Sequence, residues 1–195
     1  MKFIFLSMAL LCAASAQAGL VTPSSYTLTT GEVGHFSYFD DTGKQLTDGI
    51  LGADLWSADL GNGGAYEWVG WYITEPTMLA VFAQSVNITQ VSIGFNRGAG
   101  GVALPSNVNI AGTNFALTRT ELGEGKRGFL NFNVSLTGVS QVQITITDGA
   151  TPSWIFMDEV QFAGTAGAGS VPEPGTTVLV AAGIGLAALA RKRKG

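Results

Sequence analysis

Residues 129–136 read FLNFNVSL, and their reading decides the fold. Leu130, Phe132, Val134 and Leu136 are apolar and alternate with Asn131, Asn133 and Ser135. Successive side chains of an extended strand point to opposite sides, so this alternation predicts a strand with one buried and one wetted face. The pattern recurs in Gln141 to Thr147, through Val142, Ile144 and Ile146, and in Ile88 to Phe95, through Val91, Ile93 and Phe95. Half-buried strands of this kind belong to antiparallel sheets. Glycine-rich turns punctuate them at 61–64 (GNGG), 98–101 (GAGG), 123–125 (GEG) and 148–149 (DG). Further strands are expected at Tyr26 to Thr30, His35 to Phe39, Trp68 to Thr74, Met78 to Gln84, Val108 to Ala111, Phe115 to Arg119 and Trp154 to Phe162. No long stretch between them has helical periodicity, so the expected fold is all-β, an antiparallel β-sandwich. One domain, residues 19–162, is long enough to bury a core of its own. The small residues from Ala163 to Ser170 (AGTAGAGS) read as a linker.

The flanks differ from this body. Residues 1–18 begin with Lys2, continue through an apolar stretch from Phe3 to Ala14 and close on Ala16-Gln17-Ala18. This is the three-part order of a secretory signal peptide, cut after Ala18 by signal peptidase. Cys12 is the single cysteine and lies inside it, so the exported chain would carry neither a disulfide nor a thiol nucleophile. Beyond the linker, Pro172-Glu173-Pro174 precedes a 13-residue apolar run, Val178 to Ala190, and the basic cluster Arg191 to Lys194. A comfortable membrane span needs roughly 20 residues, so this one is short. Its basic flank favours the cytoplasmic side of a membrane.

Motif, apolar run and basic cluster together resemble the PEP-CTERM sorting signal of Gram-negative bacteria. The resemblance implies processing near the motif by an exosortase, a membrane cysteine protease, and delivery to the cell surface, outer membrane or extracellular matrix. An ordinary tail anchor is the alternative. Between Gly19 and Pro174 there are 5 basic and 14 acidic residues, a balance of −9. Such a field repels nucleic acid and suits a neutral glycan or a divalent cation.

The body carries motifs in a telling order. Tyr38, the LTDG turn at 46–49, Trp56 and WVGW at 68–71 come first, then VSIGF at 91–95 and GVALPSNVNI at 101–110, and finally WIFMDEVQF at 154–162. This order resembles the galactose-binding-like jelly roll of discoidin domains and many carbohydrate-binding modules. The resemblance implies a structural calcium where an early Asp-Gly loop meets the last strand, with Asp48 and Glu159 as ligands and backbone carbonyls near Gln45, Leu46 and Ile50 completing the shell. The second loop aspartate of that pattern is missing after Gly49, and Asp54 is the candidate substitute. Calcium takes six to eight oxygens, so carboxylates from separate segments are the expected donors. The alternative is that Asp48 forms an Asx turn and Glu159 is a solvated strand residue.

Catalysis finds little support in the residues. His35 is the single histidine, no G-x-S-x-G elbow is present, and one imidazole falls short of a zinc ligand set. Asp40-Asp41 and Asp158-Glu159 are adjacent pairs, read as a turn and a strand end rather than as facing carboxylates. Trp68 and Trp71 have opposite parity, so at most one is exposed, and these two are the candidate sugar-stacking rings. Alternation also places Trp154 on one inward face with Phe156, Val160 and Phe162. The expected function is non-catalytic binding of exopolysaccharide or another surface glycan. A structural biofilm or matrix protein without a ligand is the rival, and a glycoside-acting enzyme comes last.

Overall fold

The computed structural model describes residues 19–28, 34–35, 38–58, 67–98, 101–148 and 153–167. The signal peptide, the sorting segment and the side chain of His35 lie outside the described residues. Ten strands form among them: β1 (Gly19–Leu20), β2 (Ser25–Leu28), β3 (Gly34–His35), β4 (Tyr38–Phe39), β5 (Val69–Tyr72), β6 (Thr77–Arg97), β7 (Asn107–Ile110), β8 (Thr113–Ala116), β9 (Lys126–Thr147) and β10 (Trp154–Ala166). All named pairings are antiparallel.

Two strands of 21 and 22 residues organise everything else. The first half of β6 pairs with β2 and with the second half of β9, which in turn pairs with β7, and β7 with β8. The second half of β6 pairs with the first half of β9 and with β10, whose other neighbours are β1 and β5. Both long strands therefore pass from one layer to the other. They turn the corner through register shifts between Val81 and Gln90 and a left-handed Gly138 (φ 64°). Strands that switch sheets through bulges are the usual corners of a β-sandwich. The layers meet in one apolar core, in which Phe115 of β8 contacts Phe132 of β9 and Phe82 contacts Phe162, each with ring centroids 5.2 Å apart.

The FLNFNVSL stretch is thus a strand, with Leu130 and Phe132 buried and Asn131 and Asn133 exposed. It is continuous with the run expected at 141–147, and Met78 to Gln84 is likewise continuous with Ile88 to Phe95. The joins contain no proline, so the backbone bends without leaving the ladder. The linker expectation fails at its beginning: residues 163–166 are the end of β10 and pair with β6 from Gln90 to Val86. Their small side chains serve close packing. A Cβ on Gly164 would lie 2.0 Å from the carbonyl oxygen of Asn87.

The expected parity of β10 also needs correction. Its pairing with β6 slips between Met157 and Val160, which leaves one extra residue on β10. Such a bulge exchanges the faces of everything beyond it. Ile155, Met157, Val160 and Phe162 therefore share the main core, whereas Trp154 and Phe156 face a second cluster with Trp68 and Val102.

Candidate functional site

The bulge carries Asp158 and Glu159, which are not at a strand end but in the middle of β10. Both are directed at the segment 48–54, which lies over this part of the strand. Glu159 Oε2 accepts the Gly49 amide at 3.0 Å, and Asp158 Oδ2 accepts the Gly52 amide at 2.8 Å. Asp158 is fully buried and is held by Arg127 through two hydrogen bonds, Nε to Oδ2 at 2.7 Å and Nη2 to Oδ1 at 3.2 Å. Arg127 in turn lies over the Phe129 ring, 4.1 Å from its centroid. Burial raises the Asp158 carboxyl above the ordinary carboxylate range, against the pull of Arg127. Burial also pushes Glu159 up to about 7; the Gly49 amide opposes the rise, and the charges of Asp48 and Asp158 add to it. Beside Glu159 opens a pocket of about 250 Å³, lined by residues 20–23, 47–49 and 159–162.

Of the proposed calcium ligands, Asp48 and Glu159 meet at this turn, 111 positions apart in sequence. Asp48 Oδ1 accepts the Ile50 amide at 2.8 Å, which is an Asx turn. The Leu46 carbonyl accepts the Val160 amide at 2.7 Å. Asp54 does not join them. Its carboxylate is taken by Lys126 Nζ at 2.7 Å and by the Arg127 amide at 2.9 Å, so it anchors the far end of the loop to β9. Among the described residues no group of three or more His, Cys, Asp or Glu side chains is placed to hold a metal. The donor set is therefore two carboxylates and nearby carbonyls, which fits an oxygen-seeking ion only with help from water.

The two candidate sugar-stacking tryptophans are both fully buried, Trp71 in the main core and Trp68 in the second cluster. Opposite parity does place them on opposite faces of the layer. The outward face is covered, however, because Gly52 of the 48–54 segment sits against the Trp68 indole, where a Cβ would come within 2.2 Å. Neither ring offers a face to a ligand.

Other rings lie nearer the surface, with Trp56 and Trp154 half-buried on either side of the buried Phe156. Trp154, Phe156 and Trp56 stack with centroids 5.4 Å apart at each step and interplanar angles of 8° and 17°. Tyr38 packs edge-on against all three at 4.6–5.9 Å. Tyr72 extends the array, 5.5 Å from Trp154 and 40% exposed. Tyr72 is followed by Ile73, which is 58% exposed and held at φ 59°, a left-handed conformation that a β-branched residue adopts only under strain. The seam is braced from behind. Trp154 exchanges backbone hydrogen bonds with Gly101 and Ala103 at 2.8 and 2.9 Å, and Arg119 joins the carbonyl of Leu104 to Ser153 Oγ at 2.8 Å each. This array escapes a reading of alternation because the bulge reverses the faces of β10. Two acidic residues in succession within an apolar strand are the sequence signal of that bulge.

Residues 170–194 match the family model of the PEP-CTERM protein-sorting motif. No curated protein matches the chain. Solved structures similar to it include CBM32 of AlyQ in complex with 4,5-unsaturated mannuronic acid, at 12% identity, TM-score 0.47, covering 74% of this chain and 97% of that one. An F5/8 type C domain from Bacteroides fragilis shares 12% identity at TM-score 0.46, covering 76% and 97%. The family 32 CBM of NanJ from C. perfringens, in complex with galactose, shares 9% at TM-score 0.39, covering 71% and 92%. The chain thus carries a PEP-CTERM protein-sorting motif behind an all-β domain.

Proposed function

We propose that this exported protein is sorted to the bacterial cell surface or matrix, where its aromatic seam binds a neutral glycan such as an exopolysaccharide. The sorting motif supports the first half of the reading. The second half is carried by one observation, the stacked rings of Trp56, Phe156 and Trp154 that reach solvent at Tyr72. A sugar presents an apolar C–H face that packs flat on an aromatic ring, while neighbouring polar groups fix its orientation. A body with a balance of −9 works against polyanionic glycans and leaves neutral ones unaffected. In this reading Tyr72 and Trp154 take the role that sequence parity gave to Trp68 and Trp71. A calcium ion would be held by Asp48 and Glu159 with carbonyls of the turn, and would tie the turn to β10 without taking part in chemistry.

The test is a glycan array probed with protein recovered from the native host, run beside a screen for oligosaccharide release. Binding to neutral glycans without release is the expected result. A blank array would make the protein a structural matrix component, and turnover would make it an enzyme.

A further inference from the structure

The ends of the domain are not equivalent, and the sorting motif is attached to one of them. Strand β10 finishes at Ala166, beside the corner where β6 and β9 change layers: Thr165 and Ala166 pair with Asn87 and Val86, and the Gly167 amide donates to Ser85. Gly19 pairs with Gly164, so cleavage after Ala18 would place the new N-terminus at the same corner. Five residues, 167–171, separate β10 from Pro172. Fully extended, they reach about 20 Å. The apolar run begins at Val178, twelve residues beyond Ala166, which limits the lead to about 40 Å even at full extension. A domain on so short a lead stands at the membrane surface while the apolar run is inserted.

The corner is built for such proximity by what it lacks. Residues 83–89 (AQSVNIT), 134–141 (VSLTGVSQ) and 162–167 (FAGTAG) contain no charged side chain, although residues 19–162 carry 13 acidic residues. Ala83, Gln84, Thr137 and Ser140 are exposed there, and Leu20, opposite Ala163, is 68% exposed. The nearest acidic position along β10 is Glu159, five residues from Gly164, or about 17 Å of strand. That exceeds the Debye length of about 8 Å at physiological salt. The acidic charges of β10 are thus kept out of reach of an anionic headgroup layer, and the α-amino group of Gly19 would be presented to it.

We propose that this charge-free corner is the face that rests on anionic lipid headgroups while the sorting segment is in the membrane. Its neutrality is what allows an acidic domain to be held there until processing. The inference rests on the sorting reading. It is tested in the native host by following conversion of full-length chain to the shortened form with pulse labelling and intact mass. Ser85→Glu, Thr137→Glu and Ser140→Glu together should slow conversion by about tenfold or more. A flexible Gly/Ser spacer of about 15 residues inserted after Gly167 should restore it by lifting the charges off the surface. Leu51→Glu, Leu55→Glu and Ser57→Glu, exposed and remote from the corner, should convert at the parent rate. Purified triple variants should melt like the parent, which separates a sorting defect from misfolding. Parent-like conversion of the corner variant would overturn the proposal. A defect that the spacer leaves in place would reassign the corner to contact with the processing protease and overturn the lipid assignment. A parent chain that is never shortened would defeat the sorting reading itself, before any variant is compared.

Discussion

The closed corner and the aromatic end of this sandwich are made from the same strands and have opposite chemistry. At the corner, β6, β9 and β10 present amides, hydroxyls and glycine, without a charge or an exposed ring. At the start of β10, the same layer presents stacked rings, a strained turn at Ile73 and the Asp148 carboxylate beside Ser153. Strand β10 runs from one to the other over 13 residues, about 40 Å. The bulge at Asp158 and Glu159 lies between them and turns the rings of Trp154 and Phe156 away from the main core. Under the proposed function a sorted domain gains from this polarity, because the binding end would face away from the end that carries the sorting segment.

The largest expected effect lies at the bulge that separates the two ends. Asp158→Ala leaves the half-buried Arg127 without its partner and releases the Gly52 amide. Breaking a buried ion pair from one side costs about 3–5 kcal/mol, so thermal unfolding should show a large loss. Ser140→Glu at the exposed corner should change stability by no more than about 0.5 kcal/mol. Equal costs at both positions would mean that the bulge does not organise the layer.

Most of the fold was legible in the sequence because alternation reports burial directly. Residues 129–136 and 141–147 needed nothing more than a count of apolar positions. What stayed hidden depends on residues far apart in the chain. The corners that merge four expected strands into two are set by pairing across layers, and no local turn chemistry marks them. Trp68 and Trp71 were assigned to opposite faces correctly, yet parity cannot reveal that the 48–54 segment covers the outer one. Asp54 is open to an ion in the sequence alone, whereas in the fold β9 engages it through Lys126 and the Arg127 amide. The meeting of Asp48 and Glu159 was legible through motif order, whereas the aromatic seam was not, because a bulge is invisible to period-two counting.

A smaller effect is expected from the pocket beside Glu159. Its folded pKa of about 7 lies above the ordinary 4.5. The folded state therefore binds the proton more tightly, and this contribution is complete below pH 4.5 and lost as pH rises through 7. Asp48 and Asp158 face the carboxyl with negative charge and Arg127 with positive charge. Melting curves of the parent should fall relative to Glu159→Gln across that window. Calcium should reverse the fall, adding about 2.7 kcal/mol at 100 times its dissociation constant. Asp48→Asn or Glu159→Gln should abolish the gain, and magnesium should substitute poorly. Parent curves that coincide in chelator and in calcium would leave the turn without an ion.

The smallest effect belongs to the aromatic rim. Ile73→Gly places a residue tolerant of φ 59° at the strained turn and should raise stability by about 1 kcal/mol. A loss of stability would show that packing of the exposed side chain outweighs backbone strain.

The difference between the two ends is tested most directly by affinity electrophoresis through gels containing neutral polysaccharides. The parent should be retarded by at least one of them. Tyr72→Ala, which removes an exposed ring and leaves the core intact, should migrate as in a blank gel while melting like the parent. The corner variant carrying Ser85→Glu, Thr137→Glu and Ser140→Glu should be retarded like the parent once its added charge is corrected for in the blank gel. Retardation that survives in Tyr72→Ala but is lost in the corner variant would place binding at the wrong end of the molecule and contradict the assignment.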